Sequence, residues 1–256
     1  MKEVITLKAL ITGASSGIGK EIAIYLDSLG YETILVARNK TELEKLRESL
    51  KNKSKIVVMD LSDLSNLKSL YVLVKNETID VLINNAGFGV FGEFTKTEIS
   101  REMEMIDVNI RAMHTLMKLF LKDMKKRDAG YILNVSSSAS FMPGPLMASY
   151  YASKAYVTRL TEAVSYELEK DNSKVRVSCL CPGPVDTNFN EVAGVSFSAK
   201  PLDAKYVAKY AVDKMFSGKT VIIPGFSMKC AKFFTRFFSS HFVMKFTYNI
   251  QKKKEK

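Results

Sequence analysis

The first thirty residues hold the strongest folding constraint in this chain. An apolar, β-branched stretch over residues 4–11 runs directly into Thr12-Gly13-Ala14-Ser15-Ser16-Gly17-Ile18-Gly19. A helical pattern follows, with Ile22, Ala23, Leu26 and Leu29 on its apolar face and Gly30 as its stop. Strand, glycine turn and helix in immediate succession form the unit that begins an α/β sheet. Glycines permit the tight turn and let backbone approach a phosphate, which the free N–H groups and dipole of the helix N-terminus then hold. Gly13, Ser15, Ser16, Gly17, Ile18 and Gly19 are therefore candidate nucleotide ligands, against the alternative of a plain structural turn.

The alternation continues along the chain. Strands are expected over residues 33–36, 55–59, 79–83, 131–135, 175–180 and 220–223, separated by helices over 41–50, 62–75, 100–127, a segment following Ser149, and 203–216. With the first, these make seven strands, and repeated strand–helix units imply a parallel sheet covered on both faces. Ligands of such sheets sit outside the carboxyl ends of the strands, and several polar residues fall there. Ala37-Arg38 ends the second strand where NAD enzymes usually carry a carboxylate. An arginine fork suits a 2′-phosphate instead, so Arg38, with Ser15, points to NADP(H) rather than NAD(H). Asp60, followed by Leu61, stands where a carboxylate accepts from an adenine amino group. In Asn84-Asn85-Ala86-Gly87 the asparagines can cross-link strand ends, and the small residues leave room for a ring or ribose. Pro182-Gly183-Pro184-Val185-Asp186-Thr187 fixes a turn in which Thr187 can bond a carboxamide or phosphate.

Tyr150 and Lys154 form an i,i+4 pair on one helix face. A free phenol ionises near pH ~10 and is a sluggish acid at neutrality. A fixed ammonium beside it is expected to lower that value toward the working pH. Ser137, thirteen residues earlier, has a hydroxyl that can hydrogen-bond a substrate oxygen protonated by Tyr150. Asn109 interrupts the stripe Ile106, Ile110, Met113, Met117 and is expected either to kink its helix or to bond a carbonyl. Ser149 is expected to cap the helix that carries the pair.

The chain of 256 residues is long enough for one sizeable core. Its three cysteines, odd in number, fit a reduced cytoplasmic interior better than a disulfide framework or a metal site. The net charge of +11 is concentrated at the end: residues 227–256 hold eight Lys/Arg against Glu255. That distribution, without a recognisable motif, argues against nucleic acid.

The glycine turn, Asn-Asn-Ala-Gly, internal Asn109, Ser137, Tyr150-x-x-x-Lys154 and Pro182-Gly183, all in order, resemble the short-chain dehydrogenase/reductase family, classical type, over roughly residues 4–224. The resemblance implies a single doubly wound, Rossmann-type domain with a seven-stranded parallel sheet flanked by helices. It also implies a catalytic tetrad of Asn109, Ser137, Tyr150 and Lys154. By the same resemblance, Gly13, Ser15, Ser16, Gly17, Ile18, Gly19, Arg38, Asp60, Leu61, Asn85, Ala86, Gly87, Tyr150, Lys154, Pro182, Gly183, Val185 and Thr187 would bind NADP(H). The implied activity interconverts a carbonyl and its alcohol; Phe88, Val90, Phe91, Phe94, Phe141, Met142 and Leu146 point to an apolar substrate, with a 3-oxoacyl thioester, a steroid-like ketone or a small aldehyde as candidates. A homo-oligomer, dimer or tetramer, formed through the two long helices is a further implication. A nucleotide-sensing or scaffold protein of the same fold is the competing class.

The expected catalytic domain spans residues 1–225, and residues 226–256 read as a basic, Phe-rich helical extension. Phe226, Phe233, Phe234, Phe237, Phe238, Phe242 and Phe246 lie on one side of this pattern, Lys229, Lys232 and Arg236 on another. The extension is expected either to make a peripheral membrane contact or to cap the pocket or a subunit interface. Residues 188–201, with Phe189, Val192, Val195 and Phe197 among small residues, read as a lid over an apolar substrate.

Overall fold

The computed structural model describes residues 6–187, 189, 201–235 and 237–252. The first two residues of the expected opening strand, Arg236 of the extension and most of the expected lid lie outside the described residues.

Seven strands form one parallel sheet: β1 (Lys8–Thr12), β2 (Glu32–Ala37), β3 (Ser54–Val58), β4 (Val81–Asn84), β5 (Tyr131–Val135), β6 (Arg176–Leu180) and β7 (Val221–Ile222). Their order is β3-β2-β1-β4-β5-β6-β7, so the winding reverses between β1 and β4. Alternate residues of each strand serve opposite layers. Ala9, Ile11, Leu35 and Ile83 pack under α1 (Gly17–Ser28), α2 (Lys40–Ser49) and α7 (Ala204–Phe216). Leu10, Ile34, Val36, Leu82 and Ile132 pack under α3 (Leu64–Leu73), α5 (Met113–Arg127) and α6 (Ala148–Lys170). Burial on both faces explains why these strands read as continuous apolar runs rather than alternating ones.

The long helix expected over residues 100–127 is divided. It consists of α4 (Ile99–Ile106), a π-helical turn (Asp107–Ala112) and α5, with Asn109 inside the turn. A π-turn inserts one extra residue per turn and redirects the side chains beyond it. Ser149 also departs from expectation. Met147 occupies the cap position, and Ser149 lies within α6, its hydroxyl donating to Glu102 Oε2 at 2.5 Å. The nearby carboxylate takes a hydroxyl that a free N-terminus would otherwise draw inward.

Polar side chains tie the carboxyl ends of the strands together. Thr12 Oγ1 donates to the Ile83 carbonyl and accepts from the backbone N–H groups of Asn85 and Ala86. Asn85 Nδ2 donates to the Thr12 and Gly13 carbonyls, both at 3.0 Å. One strand further on, Asn84 Nδ2 donates to Asn134 Oδ1 at 2.8 Å, and Asn134 Nδ2 donates to Thr161 Oγ1 at 2.9 Å. All three of these residues are buried.

After β7 the chain forms α8 (Phe226–Phe234) and α9 (Ser240–Lys252). Val243, Thr247 and Gln251, spaced by four, form the buried stripe of α9. Thr247 donates to the Pro143 carbonyl at 3.1 Å and Gln251 Nε2 to Tyr151 Oη at 2.6 Å, which brings the extension over the β5–α6 connection.

Asn134→Ala removes both links of a buried chain and leaves the Asn84 amide unpaired, at an expected cost of about 3 kcal/mol. Urea unfolding of the variant against the parent protein measures it.

Candidate active site

The strand ends open into a cleft of about 620 Å³ at the β1–β4 reversal. One half is a cradle of backbone. Gly13 and Gly17 have φ of +65° and +53°, a left-handed region that costs glycine little. Gly19 has no room for a side chain, because a Cβ there would lie 2.3 Å from Asn85 Nδ2 and 2.4 Å from the Gly13 carbonyl oxygen. Ser16 precedes α1 in extended conformation, and the first turn of that helix contains no acidic residue. Its unpaired N–H groups and positive dipole end therefore face the cleft without an internal anion, as a bound pyrophosphate requires. Thr187 lies against Gly17, its methyl 2.9 Å from where a Cβ would stand, which places it beside this cradle.

Arg38 and Asp60 form the far edge. Arg38 is exposed and paired with Glu104 Oε1 at 3.2 Å and Asp60 Oδ2 at 3.7 Å. Asp60 Oδ1 accepts from the Ser62 N–H and hydroxyl. Burial works to raise the Asp60 pKa, but the Ser62 bonds and the Arg38 charge hold it below the usual carboxylate range. Leu61, Asn85, Ala86, Gly87, Pro182, Gly183 and Val185 also line the cleft. Apart from Gly19, which is buried within α1, the residues expected at a nucleotide site thus line one cavity.

The other half holds the ionisable groups. Tyr150 and Lys154 project from one face of α6, with Lys154 Nζ 5.8 Å from the centroid of the Tyr150 ring. Lys154 Nζ donates to the Val135 carbonyl at 3.0 Å, at the end of β5. The Ser137 hydroxyl lies near enough to the Tyr150 phenol to favour its ionised form, and it accepts from the Ala139 N–H at 3.1 Å. Both neighbouring serines make bonds of their own, Ser136 through its hydroxyl and Ser138 through its backbone. Ser136 donates to the Lys154 carbonyl at 2.9 Å, and the Ser138 N–H donates to the Pro182 carbonyl. Tyr151 turns instead to Gln251.

Asn109 is locked in place. Its Nδ2 donates to the Phe88 carbonyl at 2.9 Å and to Ser153 Oγ at 3.1 Å, and its Oδ1 accepts from the Phe88 N–H at 3.1 Å. Asn109 Oδ1 and Lys154 Nζ lie 2.7 Å and 3.3 Å from the point a Gly87 Cβ would occupy, so both converge on Gly87.

The expected lowering of the Tyr150 pKa by Lys154 does not occur in this structure. Burial is the largest influence and pushes the phenol above its ordinary value, while the Ser137 hydroxyl opposes the rise. Tyr150 is therefore protonated at neutral pH. Burial likewise lowers Lys154 to about 8, so its ammonium persists at neutrality but at a cost to folding.

Several cleft residues lie outside the sequence-based expectation. Val36, Asn39 and Met59 line the cleft, as does Val108, which packs in the cluster around Tyr150. From the extension come Met228 and Ala231 of α8 and Phe246, Thr247, Ile250 and Gln251 of α9. The i,i+4 spacing of Val243, Thr247 and Gln251 within an aromatic helix is their sequence signal. Of the expected lid, Phe189 is described, and its ring lies 5.4 Å from that of Tyr150.

A Lys whose folded pKa is depressed binds fewer protons than in the unfolded chain between the two values. Its cost is nearly full below pH 8 and is relieved as pH rises past 10.5, a total of about 3 kcal/mol, of which about 2 kcal/mol returns between pH 7.5 and 9.5. Urea unfolding at pH 7.5 and 9.5 is expected to show that rise in the parent protein and its loss in Lys154→Met.

A family model described as short chain dehydrogenase matches residues 7–194. An uncharacterised oxidoreductase of Staphylococcus epidermidis is 33% identical over 207 residues, covering 80% of this chain and 88% of that protein. A very-long-chain 3-oxoacyl-CoA reductase of Phaeosphaeria nodorum is 34% identical over 200 residues, covering 72% of this chain and 56% of that protein. Among solved structures, a short-chain dehydrogenase from Sphingobium yanoikuyae in complex with NADPH superposes with a TM-score of 0.80 at 26% identity, covering 86% of this chain and 88% of that one. The seven-stranded sheet thus has its counterpart in a known group of oxidoreductases, and the chain belongs to the short-chain dehydrogenase/reductase family.

Proposed function

We propose that this protein uses NADP(H) to interconvert an apolar ketone or aldehyde and its alcohol, with Tyr150 as the acid and base. The observation that carries this reading is the meeting of Ser137, Tyr150 and Lys154 in the cleft that also holds the glycine cradle. A bound nicotinamide supplies the hydride in reduction and takes it in oxidation.

The chain's own groups do the rest. Ser137 and Tyr150 donate to the carbonyl oxygen, which makes its carbon electrophilic. Tyr150, held protonated by burial, gives its proton to that oxygen as negative charge develops there. Lys154 and Ser137 stabilise the phenolate left behind. Asn109 holds the Phe88 backbone and, with Lys154, bounds the space at Gly87 through which a water relays the replacement proton. Pro182 and Gly183 border the nicotinamide end, and Ser15, Ser16 and the α1 N-terminus the phosphates. Phe88, Met147, Phe189 and Tyr151 pack around Tyr150, which fits an apolar substrate such as a 3-oxoacyl or steroid-like ketone. The 3-oxoacyl class also accords with the activity named for the Phaeosphaeria relative.

Arg38 supports NADP(H) because its guanidinium stands exposed at the end of β2 and is anchored by two carboxylates. We assign residues 1–225 to catalysis, and residues 226–256 to an extension packed on that domain. The protein works in the cytoplasm, with the outer face of the extension as its peripheral contact to a membrane. Exposed Ile99 and Met103 on α4 and Tyr156 and Tyr166 on α6 support a homo-oligomer formed through these long helices.

Tyr150→Phe is expected to bind NADPH as the parent does and to lose turnover on a panel of carbonyl compounds. Substantial residual turnover would remove Tyr150 as the acid. Arg38→Ala is expected to raise KM for NADPH by about 10- to 100-fold, the equivalent of one charge-assisted bond, and leave KM for NADH nearly unchanged. Steady-state kinetics with the two cofactors decides it, since equal effects on both would take Arg38 out of the 2′-phosphate site.

A further inference from the structure

The two helices of the extension have different inner and outer faces. Inward, Met228 and Ala231 of α8 and Phe246 and Ile250 of α9 border the catalytic cleft. Outward, a set of phenylalanines faces solvent: Phe226 is 80% exposed, Phe237 68% and Phe246 61%. The exposed rings group with one another, Phe233 with Phe237 at 5.0 Å and Phe238 stacked on Phe242 at 4.9 Å. Phe246 belongs to both faces, so the apolar surface is continuous with the rim of the cleft.

A second cavity, of about 910 Å³, lies on the other side of α8. Lys214, Lys219, Lys229 and Lys232 line it beside Phe233, and among the described residues no carboxylate does. Along the sequence there is no Asp or Glu from Lys214 to Lys254. A basic recess joined through one ring to a cluster of exposed aromatics presents charge for an anionic headgroup and apolar area for acyl chains.

We propose that α8 and α9 dock the protein on an anionic lipid bilayer, and that the cleft opens at Phe246 and Ile250 to admit a carbonyl compound dissolved in that bilayer. This rests on the carbonyl reduction proposed above and adds its substrate class, a membrane-partitioned lipid-like ketone, and its route of entry. The charge distribution selects the bilayer over a second copy of the chain. Two copies joined through this face would bring lysines against lysines with no carboxylate between Lys214 and Lys254 to pair them. Among the described residues no helix is long and apolar enough to cross a membrane, so the contact is made at the surface.

The test uses the full chain and the double variant Phe237→Ser/Phe242→Ser, whose positions lie outside both cavities. Vesicles of phosphatidylcholine alone, and with roughly a third phosphatidylglycerol, are the lipid probes. Co-sedimentation is expected to show binding to the anionic vesicles only, suppressed by high salt, and weakened at least about tenfold in the double variant. NADPH consumption with a short water-soluble ketone is expected to be equal in the two proteins, whereas a long-chain ketone carried in anionic vesicles is reduced more slowly by the variant. Absence of anionic-vesicle binding, or equal binding by the variant, overturns the docking. So does self-association that the variant abolishes without any vesicle binding. Equal rates on the vesicle-borne ketone despite lost binding overturn the entry route. If the parent protein consumes no NADPH with any ketone, the catalytic reading fails, and vesicle binding still decides the docking separately.

Discussion

An open parallel sheet can accept a ligand at its edge only where connections to either side of one strand pair leave in opposite directions. Here that place lies between β1 and β4, and the rest of the molecule depends on holding it open without exposing strand ends. Backbone groups released at a strand terminus need partners. Thr12, Asn85 and the Asn84–Asn134–Thr161 chain supply them from side chains. Backbone N–H groups at α1 consequently remain available to a ligand, and the glycines of the turn can sit close against Asn85.

The same edge sets two buried groups in tension. Tyr150 and Lys154 are almost wholly removed from water, which favours the neutral form of each. For the phenol this means retention of the proton that reduction of a carbonyl consumes. For the amine it means a charge kept at the expense of stability, with the Val135 carbonyl as one of its few compensations. A cationic group under such strain gains most when negative charge appears nearby, and the phenolate formed on proton transfer is that charge. Under the proposed mechanism, catalysis and folding make opposite demands on Lys154.

Much of this arrangement is legible in the sequence because it rests on short-range patterns. The unbroken apolar run through Ala9, Leu10 and Ile11 announces a strand buried on both sides, and the glycine spacing announces the turn that follows it. Tyr150 is told from Tyr151 by its spacing to Lys154, and Ser137 from Ser136 and Ser138 by the resemblance to the family, and the structure turns the Ser136 hydroxyl and Tyr151 to other partners. Other features depend on contacts across the fold, which spacing does not encode. The π-turn around Asn109 forms because that amide bonds the Phe88 backbone in both directions. Ser149 forgoes the cap position and bonds Glu102, from a helix nearly fifty residues earlier. The direction of the Tyr150 shift departs from expectation because a neighbouring charge is visible in sequence and the depth of burial is not. For the extension, membrane contact and pocket capping read as alternatives in the sequence, yet α9 buries Thr247 and Gln251 while exposing Phe242.

The wall that α9 builds is anchored to the catalytic helix region by few polar links, chiefly Thr247 to Pro143 and Gln251 to Tyr151. The groups proposed to move protons, by contrast, sit just after β5, on α6 and on the π-turn. In the proposed reading, chemistry and part of the substrate contact fall to separable stretches of the chain, so exchange of α9 would alter one wall of the cleft and leave Ser137, Tyr150 and Lys154 where they are.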